Sequence, residues 1–175
     1  WARVLEGVQD SRMLMLCPEG ECRARVVRHF ASHSVGSQRV EFVSHTPRDR
    51  FLALHHRLDV ILDTFPYNGH STTCEALWMG VPVVSLVGER NLGRAGLSLL
   101  SNVGMAELAV TDVDAYVAQA VALSREPEKL SRLRQELRPR MLTSPLLDAE
   151  GFTRRLEKAL RDMWVAWCER QAKVG

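Results

Sequence analysis

The feature that most constrains this chain is an alternation running through its first two thirds, in which short apolar stretches are separated by segments of helical period. RMLMLC at 12–17, RVEFV at 39–43, VILD at 60–63 and VVSL at 83–86 are predicted strands. Between them, 21–33, 47–57 and 72–79 carry helical patterns, joined by connections of a few residues. Strands alternating with helices build βαβ units, whose crossovers are right-handed and whose strands run parallel. The expected fold class is therefore α/β, with a Rossmann-like, doubly wound parallel sheet flanked by helices. Beyond Glu107 the period becomes purely helical, over 113–124, 128–140 and 149–167, so residues 110–175 read as a mostly helical extension of one domain spanning 1–175. In the last of these helices Phe152, Leu156, Leu160, Met163 and Trp167 share one face opposite Arg154, Glu157, Lys158, Arg161 and Asp162. That stripe requires a partner, either the chain's own sheet or a further domain.

Composition narrows the function classes. The 175 residues are 46% hydrophobic and 25% charged, which suits a globular domain. Lys and Arg total 23 against 21 for Asp and Glu, and a net charge of +2 is far from the basic excess of nucleic-acid binders. No run approaches the roughly 20 apolar residues that span a bilayer, so no membrane association is expected. Cys17, Cys22, Cys74 and Cys168 form neither a CxxC pair nor a secreted framework, which fits reduced thiols and a cytoplasmic location. The chain opens without Met on WARVLEGV, which reads as the middle of an amphipathic helix in a longer protein.

Chemistry concentrates in residues 63–80, DTFPYNGHSTTCEALWMG, directly after the strand VILD and leading into a helix. Ligands of open α/β sheets bind just beyond the carboxyl ends of the strands. Ser71, Thr72 and Thr73 stand where the helix begins, so their hydroxyls and the unpaired first-turn amides can converge on an anion, aided by the helix dipole. A diphosphate is the natural ligand. Gly69 lets the backbone come close to it, His70 supplies a donor, and Glu75, about one turn on, offers a carboxylate to paired ribose hydroxyls. The alternative is local: Ser71 and Thr72 cap the helix, Glu75 completes a capping box, and Cys74, Leu77 and Trp78 fill core.

The string DTFPYNGHSTTCEALWMGVPVV resembles the C-terminal half of the O-linked N-acetylglucosamine transferase and SPINDLY-like family. The resemblance extends through GER at 88–90, GRAGLSLLSNVGMAELA at 93–109, SPLLD at 144–148 and the closing DMWVAWCER. It implies the second, nucleotide-sugar-binding domain of a two-domain GT-B glycosyltransferase, working by inverting transfer to a protein Ser or Thr hydroxyl. By it, His70, Ser71 and Thr72 match positions at the donor's diphosphate, Glu75 one at the ribose, Tyr67 the loop beside the nucleotide, and Thr46 and Arg48 positions that meet the base. Arg94 matches an Arg of the family pattern. Phe51 stands where animal members carry a stacking His, and Leu54 replaces the basic position that follows. His70 is shared with animal enzymes, whereas TCEALWMGVPVV is of bacterial style.

The implied donor is a UDP-sugar, with N-acetylglucosamine as the sugar, and no metal or other cofactor is expected. The implied partners are an N-terminal GT-B domain, TPR repeats and a protein acceptor. The family's leaving-group lysine lies upstream of Trp1, so the chain alone is expected to be inactive, and its catalytic residues remain unassigned. Two competing classes are a non-catalytic nucleotide-binding or interaction module and a GT-B-like UDP-sugar epimerase. Elsewhere, His29 and His33 at helical spacing lack a third metal ligand, His55 and His56 read as structural, and Asp59 and Asp63 show no acid–base spacing. Arg90 reads equally as a phosphate clamp or a solvated loop residue.

Overall fold

The computed structural model describes residues 1–172. The elements follow one another as α1 (Ala2–Gly7), β1 (Met13–Leu16), α2 (Glu21–Ser32), β2 (Val40–Val43), α3 (Arg48–Leu54), β3 (Ile61–Leu62), α4 (Ser71–Trp78), β4 (Val83–Leu86), α5 (Ala95–Asn102), β5 (Ala109–Val110), α6 (Val113–Ser124), α7 (Pro127–Leu142) and α8 (Ala149–Ala172). Every strand pairing is parallel, as the alternation requires. The strands nevertheless form two ladders: β1 with β2, Met13 opposite Val40, and β3–β4–β5, with Ile61 opposite Val83 and Ser85 opposite Ala109. No backbone pairing joins β1 to β3; both line a cavity of about 630 Å³.

The four expected strands form, β4 over its expected range and the other three trimmed by one or two residues, and two elements join them. β5 is two residues long, too short to leave a period-two signature. α5, AGLSLLSN, carries no charged residue, so it lacks the charged face by which a surface helix is most readily read.

The main core lies around β4, which is buried along its whole length because helices cover both faces. Ala76 and Leu77 of α4, Leu100 of α5, Tyr116, Ala120 and Leu123 of α6 and Leu133, Leu137 and Met141 of α7 pack there with Val83 and Val84. A smaller core gathers Phe30, Val35 and Val40 around β1 and β2. α1 bridges the cores, giving Val4 to the larger and Ala2 and Leu5 to the smaller. Polar contacts fix this bridge. Trp1 Nε1 donates to the Tyr116 hydroxyl at 3.1 Å, and Arg125 donates to the Gly7 carbonyl at 2.9 Å. The Arg39 guanidinium donates to the carbonyls of Leu5, Val8 and Ser11 at 2.7–2.9 Å, holding the α1–β1 connection on β2.

Helix ends follow local chemistry. α4 stops because Gly80 takes φ +80, which lets its amide reach the Leu77 carbonyl at 3.1 Å and the Val81 amide reach Ala76 at 2.9 Å, satisfying two orphan carbonyls. α6 begins where the Asp112 carboxylate accepts from the Ala115 amide at 2.7 Å. Asp112→Ala is expected to cost about 1 kcal/mol, read by chemical denaturation.

α8 does not fold back on the sheet. Phe152, Leu156, Leu160, Met163, Trp164 and Trp167 are 46–67% exposed, with Trp164 and Trp167 stacked at 5.2 Å. Of the two partners the sequence leaves open for this stripe, the chain's own sheet is excluded. No helix among the described residues is long and apolar enough to cross a membrane.

Candidate functional site

The strand β3 ends at Leu62, and the loop from Asp63 to His70 folds back to start α4. This loop is set from beneath by buried polar side chains. The Asp63 carboxylate accepts from the Gly69 amide at 2.7 Å and the Thr64 amide at 2.9 Å through Oδ1, and from the Ser85 hydroxyl at 2.6 Å through Oδ2. The Tyr116 hydroxyl donates to the Asp63 carbonyl at 3.0 Å. Asn68, fully buried, donates to the carbonyls of Thr64 at 2.9 Å and Leu86 at 3.3 Å and accepts from the Gly96 amide at 3.4 Å. The Thr64 hydroxyl closes the turn on the Tyr67 carbonyl at 2.5 Å, and the Phe65–Pro66 bond is cis.

α4 begins with His70 as its N-cap residue, and no side chain caps it. Its first intrahelical bond runs from the Cys74 amide to the His70 carbonyl at 3.1 Å, so the amides of Ser71, Thr72 and Thr73 have no acceptor among the described residues. The capping-box alternative is therefore excluded: Ser71 and Thr72 lie inside the helix, and Glu75 reaches away from its start. Ser71, Thr72 and His70 are exposed, and the His70 ring stacks on Tyr67 at 5.4 Å. Thr73 turns inward instead; it is buried and its hydroxyl donates to the Gly69 carbonyl at 3.0 Å. Gly69 is half-buried, and a Cβ there would meet the hydroxyls of Thr72 and Thr73 at 2.6 Å each, so the close approach it permits is first to its own helix.

Glu75 lies one turn along the same face and pairs with Arg48 at 3.0 Å. That contact joins the start of α3 to the middle of α4, two positions distant in sequence. Thr46 sits half-buried in the β2–α3 connection, next to Arg48. Phe51 lines the cavity between β1 and β3 with Gly69, Thr72 and Thr73, its ring edge-on to His55 at 5.1 Å. His55 is buried with Nδ1 on the carbonyls of Phe51 and Leu52, the structural role its sequence suggests. Arg94 stands apart: it is the N-cap residue of α5, exposed, and its guanidinium reaches the Gly88 carbonyl at 3.5 Å. No ion pair or hydrogen bond among the described residues ties it to the start of α4.

Sequence reasoning singled out the residues at the helix start and missed what holds the loop before them. Asp63, Asn68, Ser85 and Tyr116 make up the frame beneath the loop. An Asp at a strand's end before an Asn-Gly pair was the available signal. Among the described residues no group of three His, Cys, Asp or Glu side chains is placed to hold a metal ion.

Burial pushes the Asp63 carboxyl above the ordinary carboxylate range, against the pull of Ser85, Gly69 and Thr64. A carboxyl whose native pKa is raised binds more protons folded than unfolded between the two values, so stability falls as pH rises through that window. At neutral pH the buried charge is thus a cost. Asp63→Asn keeps an acceptor for both amides and presents an amide to the Ser85 oxygen. Its stability at pH 7 is expected to equal or exceed that of the wild type, with the gap closing as pH falls toward about 4. Denaturation at the two pH values measures it.

The sequence profile of glycosyl transferase family 41 matches residues 1–156. The chain is 38% identical over 174 residues to a Hordeum vulgare protein named "Probable UDP-N-acetylglucosamine--peptide N-acetylglucosaminyltransferase SPINDLY", a match covering 97% of this chain and 18% of that protein. It is 32% identical to the Arabidopsis thaliana protein of the same activity name designated SEC, over 98% of this chain and 18% of the relative. The solved Thermobaculum terrenum O-GlcNAc transferase, mutant K341M, superposes with a TM-score of 0.89 at 37% identity, over 97% of this chain and 33% of that one. The chain thus spans about a fifth of the plant relatives' length. With the profile running from Trp1 through the whole parallel layer and into α8, and a solved relative sharing the fold at 37% identity, the chain belongs to glycosyl transferase family 41.

Proposed function

We propose that this chain is the donor-binding half of an inverting glycosyltransferase that moves N-acetylglucosamine from a UDP donor to a Ser or Thr hydroxyl of a protein. The observation that carries the reading is the start of α4, where unpartnered amides of Ser71, Thr72 and Thr73 stand beside the exposed hydroxyls of Ser71 and Thr72 and the ring of His70. It lies at the carboxyl edge of a parallel sheet, where ligands of this architecture bind. A pyrophosphate there receives several hydrogen bonds and the positive end of the helix dipole. Glu75 accepts from the ribose hydroxyls, exchanging its contact with Arg48 for them, and the α3 start with Thr46, Arg48 and Phe51 takes the base. The family membership and the printed activity of the relatives support the choice of UDP and of N-acetylglucosamine.

In the transfer, the acceptor oxygen bonds to the anomeric carbon as the bond from that carbon to the phosphate oxygen breaks, the electron pair leaving with the diphosphate and the hydroxyl proton passing to a base. Negative charge grows on the diphosphate, and donors already aimed at it lower the barrier without reorganising. These donors act without a metal. The acceptor and the rest of the sugar pocket belong to another part of the protein, and the exposed apolar face of α8 is the surface that part covers.

Calorimetric titration of UDP, GDP and UDP-N-acetylglucosamine tests the reading. Saturable binding of UDP, unchanged by a metal chelator and stronger than that of GDP, is expected. Equal binding of all nucleotides, or none here and none in the longer protein, overturns it.

A further inference from the structure

We infer that Asp63 is the positioning residue of the anion site: by gathering the Gly69 amide, the Thr64 amide and the Ser85 hydroxyl on one buried carboxylate, it aims the start of α4 at a bound diphosphate. The inference deepens the donor-site reading and rests on it.

The argument begins with what would otherwise hold the loop. His70 makes no side-chain cap, and Ser71 and Thr72 are exposed, so among the described residues no side-chain hydrogen bond of these three fixes their position. The backbone just before them is fixed at Gly69, whose amide ends on Asp63 Oδ1 at 2.7 Å and whose carbonyl receives the Thr73 hydroxyl at 3.0 Å. Asp63 Oδ1 is therefore one residue from the helix cap and anchors the point from which the cap departs. The same oxygen holds the Thr64 amide, so both ends of the loop meet on a single atom.

The carboxylate is itself immobilised. It is buried to 5% exposure, and Oδ2 is held by Ser85, a fully buried residue of β4. The Asp63 backbone is tied to β4 by its amide on the Val84 carbonyl at 2.9 Å and to α6 by Tyr116. Position is thus passed from the rigid centre of the sheet through Ser85 and Asp63 to Gly69 and the first turn of α4. Asp63 lines the cavity beside Gly69 and Thr72, but both of its carboxylate oxygens are taken by protein donors, and its charge opposes an anion. Its service to a diphosphate is geometric, which sets it apart from His70, Ser71 and Thr72.

The test compares UDP with uridine, which lacks the phosphates, by ligand-observed NMR on the 175-residue chain carrying Asp63→Ala, Asp63→Asn or Ser85→Ala. In the wild type UDP is expected to bind at least tenfold more tightly than uridine. Asp63→Ala removes that preference while uridine affinity stays within twofold. Asp63→Asn, which keeps an acceptor for both amides, retains the preference within threefold, and Ser85→Ala loses part of it. If Asp63→Ala does not fold, the Ser85→Ala and Asp63→Asn ratios decide in the same way. Wild-type preference that persists in Asp63→Ala, or in Ser85→Ala where that variant decides, overturns the inference and leaves the donor-site reading standing. Equal loss of UDP and uridine binding also overturns it, as a structural role alone. A wild type that binds UDP no better than uridine overturns the underlying reading, and the inference with it.

Discussion

Gly96→Ala is expected to lower the stability of the fold by about 3 kcal/mol, the upper end of overpacking effects. α5 crosses β4 so closely that a Cβ at Gly96 would lie 1.9 Å from the Ser85 hydroxyl, 2.6 Å from its Cβ and 2.9 Å from Asp63 Oδ2. Ser85 has no other space to occupy, since β4 is covered on both faces. The methyl must therefore push α5 outward or break the Ser85–Asp63 bond. Chemical denaturation and a melting temperature lower by roughly 6–12 °C would register it. Gly104→Ala is the control: its φ is +70, but a Cβ there meets nothing within 4 Å, so only the backbone term of about 1 kcal/mol applies. Equal losses at the two glycines would mean that the α5–β4 contact is looser than described.

Glu75→Ala is expected to weaken UDP binding about ten- to hundredfold, the value of one or two hydrogen bonds to a charged acceptor. Stability is expected to stay within about 0.5 kcal/mol, because the Arg48 partner is 77% exposed and such pairs contribute little. Arg48→Ala frees the same carboxylate and tests the exchange separately. Because Arg48 also meets the base in this account, its removal is expected to lower UDP affinity; if Arg48 only occupied Glu75, its removal would leave affinity unchanged or raise it. Isothermal titration of the two variants beside the wild type decides between these, and a Glu75→Ala chain that binds UDP normally would remove Glu75 from the site.

Much of this arrangement was legible in the sequence for identifiable reasons. The parallel layer follows from apolar runs of strand length alternating with helical patterns, and α6 coincides with its predicted range because Asp112 marks its start and its apolar period is unbroken. That a helix starts at the Ser/Thr cluster was legible because such a cluster after a strand is a local signal. That α3 and α4 meet through Arg48 and Glu75 was not, since nothing local pairs those positions; only the resemblance placed both beside a nucleotide. Thr73 shows the limit most clearly. Its neighbours Ser71 and Thr72 face solvent, but at helical spacing the third residue of the run turns toward the sheet and its hydroxyl goes to Gly69. Asp63 stands at a strand's end before Asn-Gly, a local signal, but its Ser85 partner is brought beside it by the β3–β4 pairing, which spacing does not encode. The break between β1 and β3 was equally invisible: both strands read as ordinary members of one sheet.

The account's central claim is that the start of α4 receives the diphosphate of a nucleotide. Amide-resolved NMR of the 175-residue chain titrated with UDP tests it most directly. The account predicts the largest shifts at Gly69, His70, Ser71, Thr72 and Thr73, with smaller ones around Arg48 and Glu75, and a loss of the α4 shifts when uridine replaces UDP. Shifts confined to other surfaces, or α4 shifts of the same size with uridine, would contradict it.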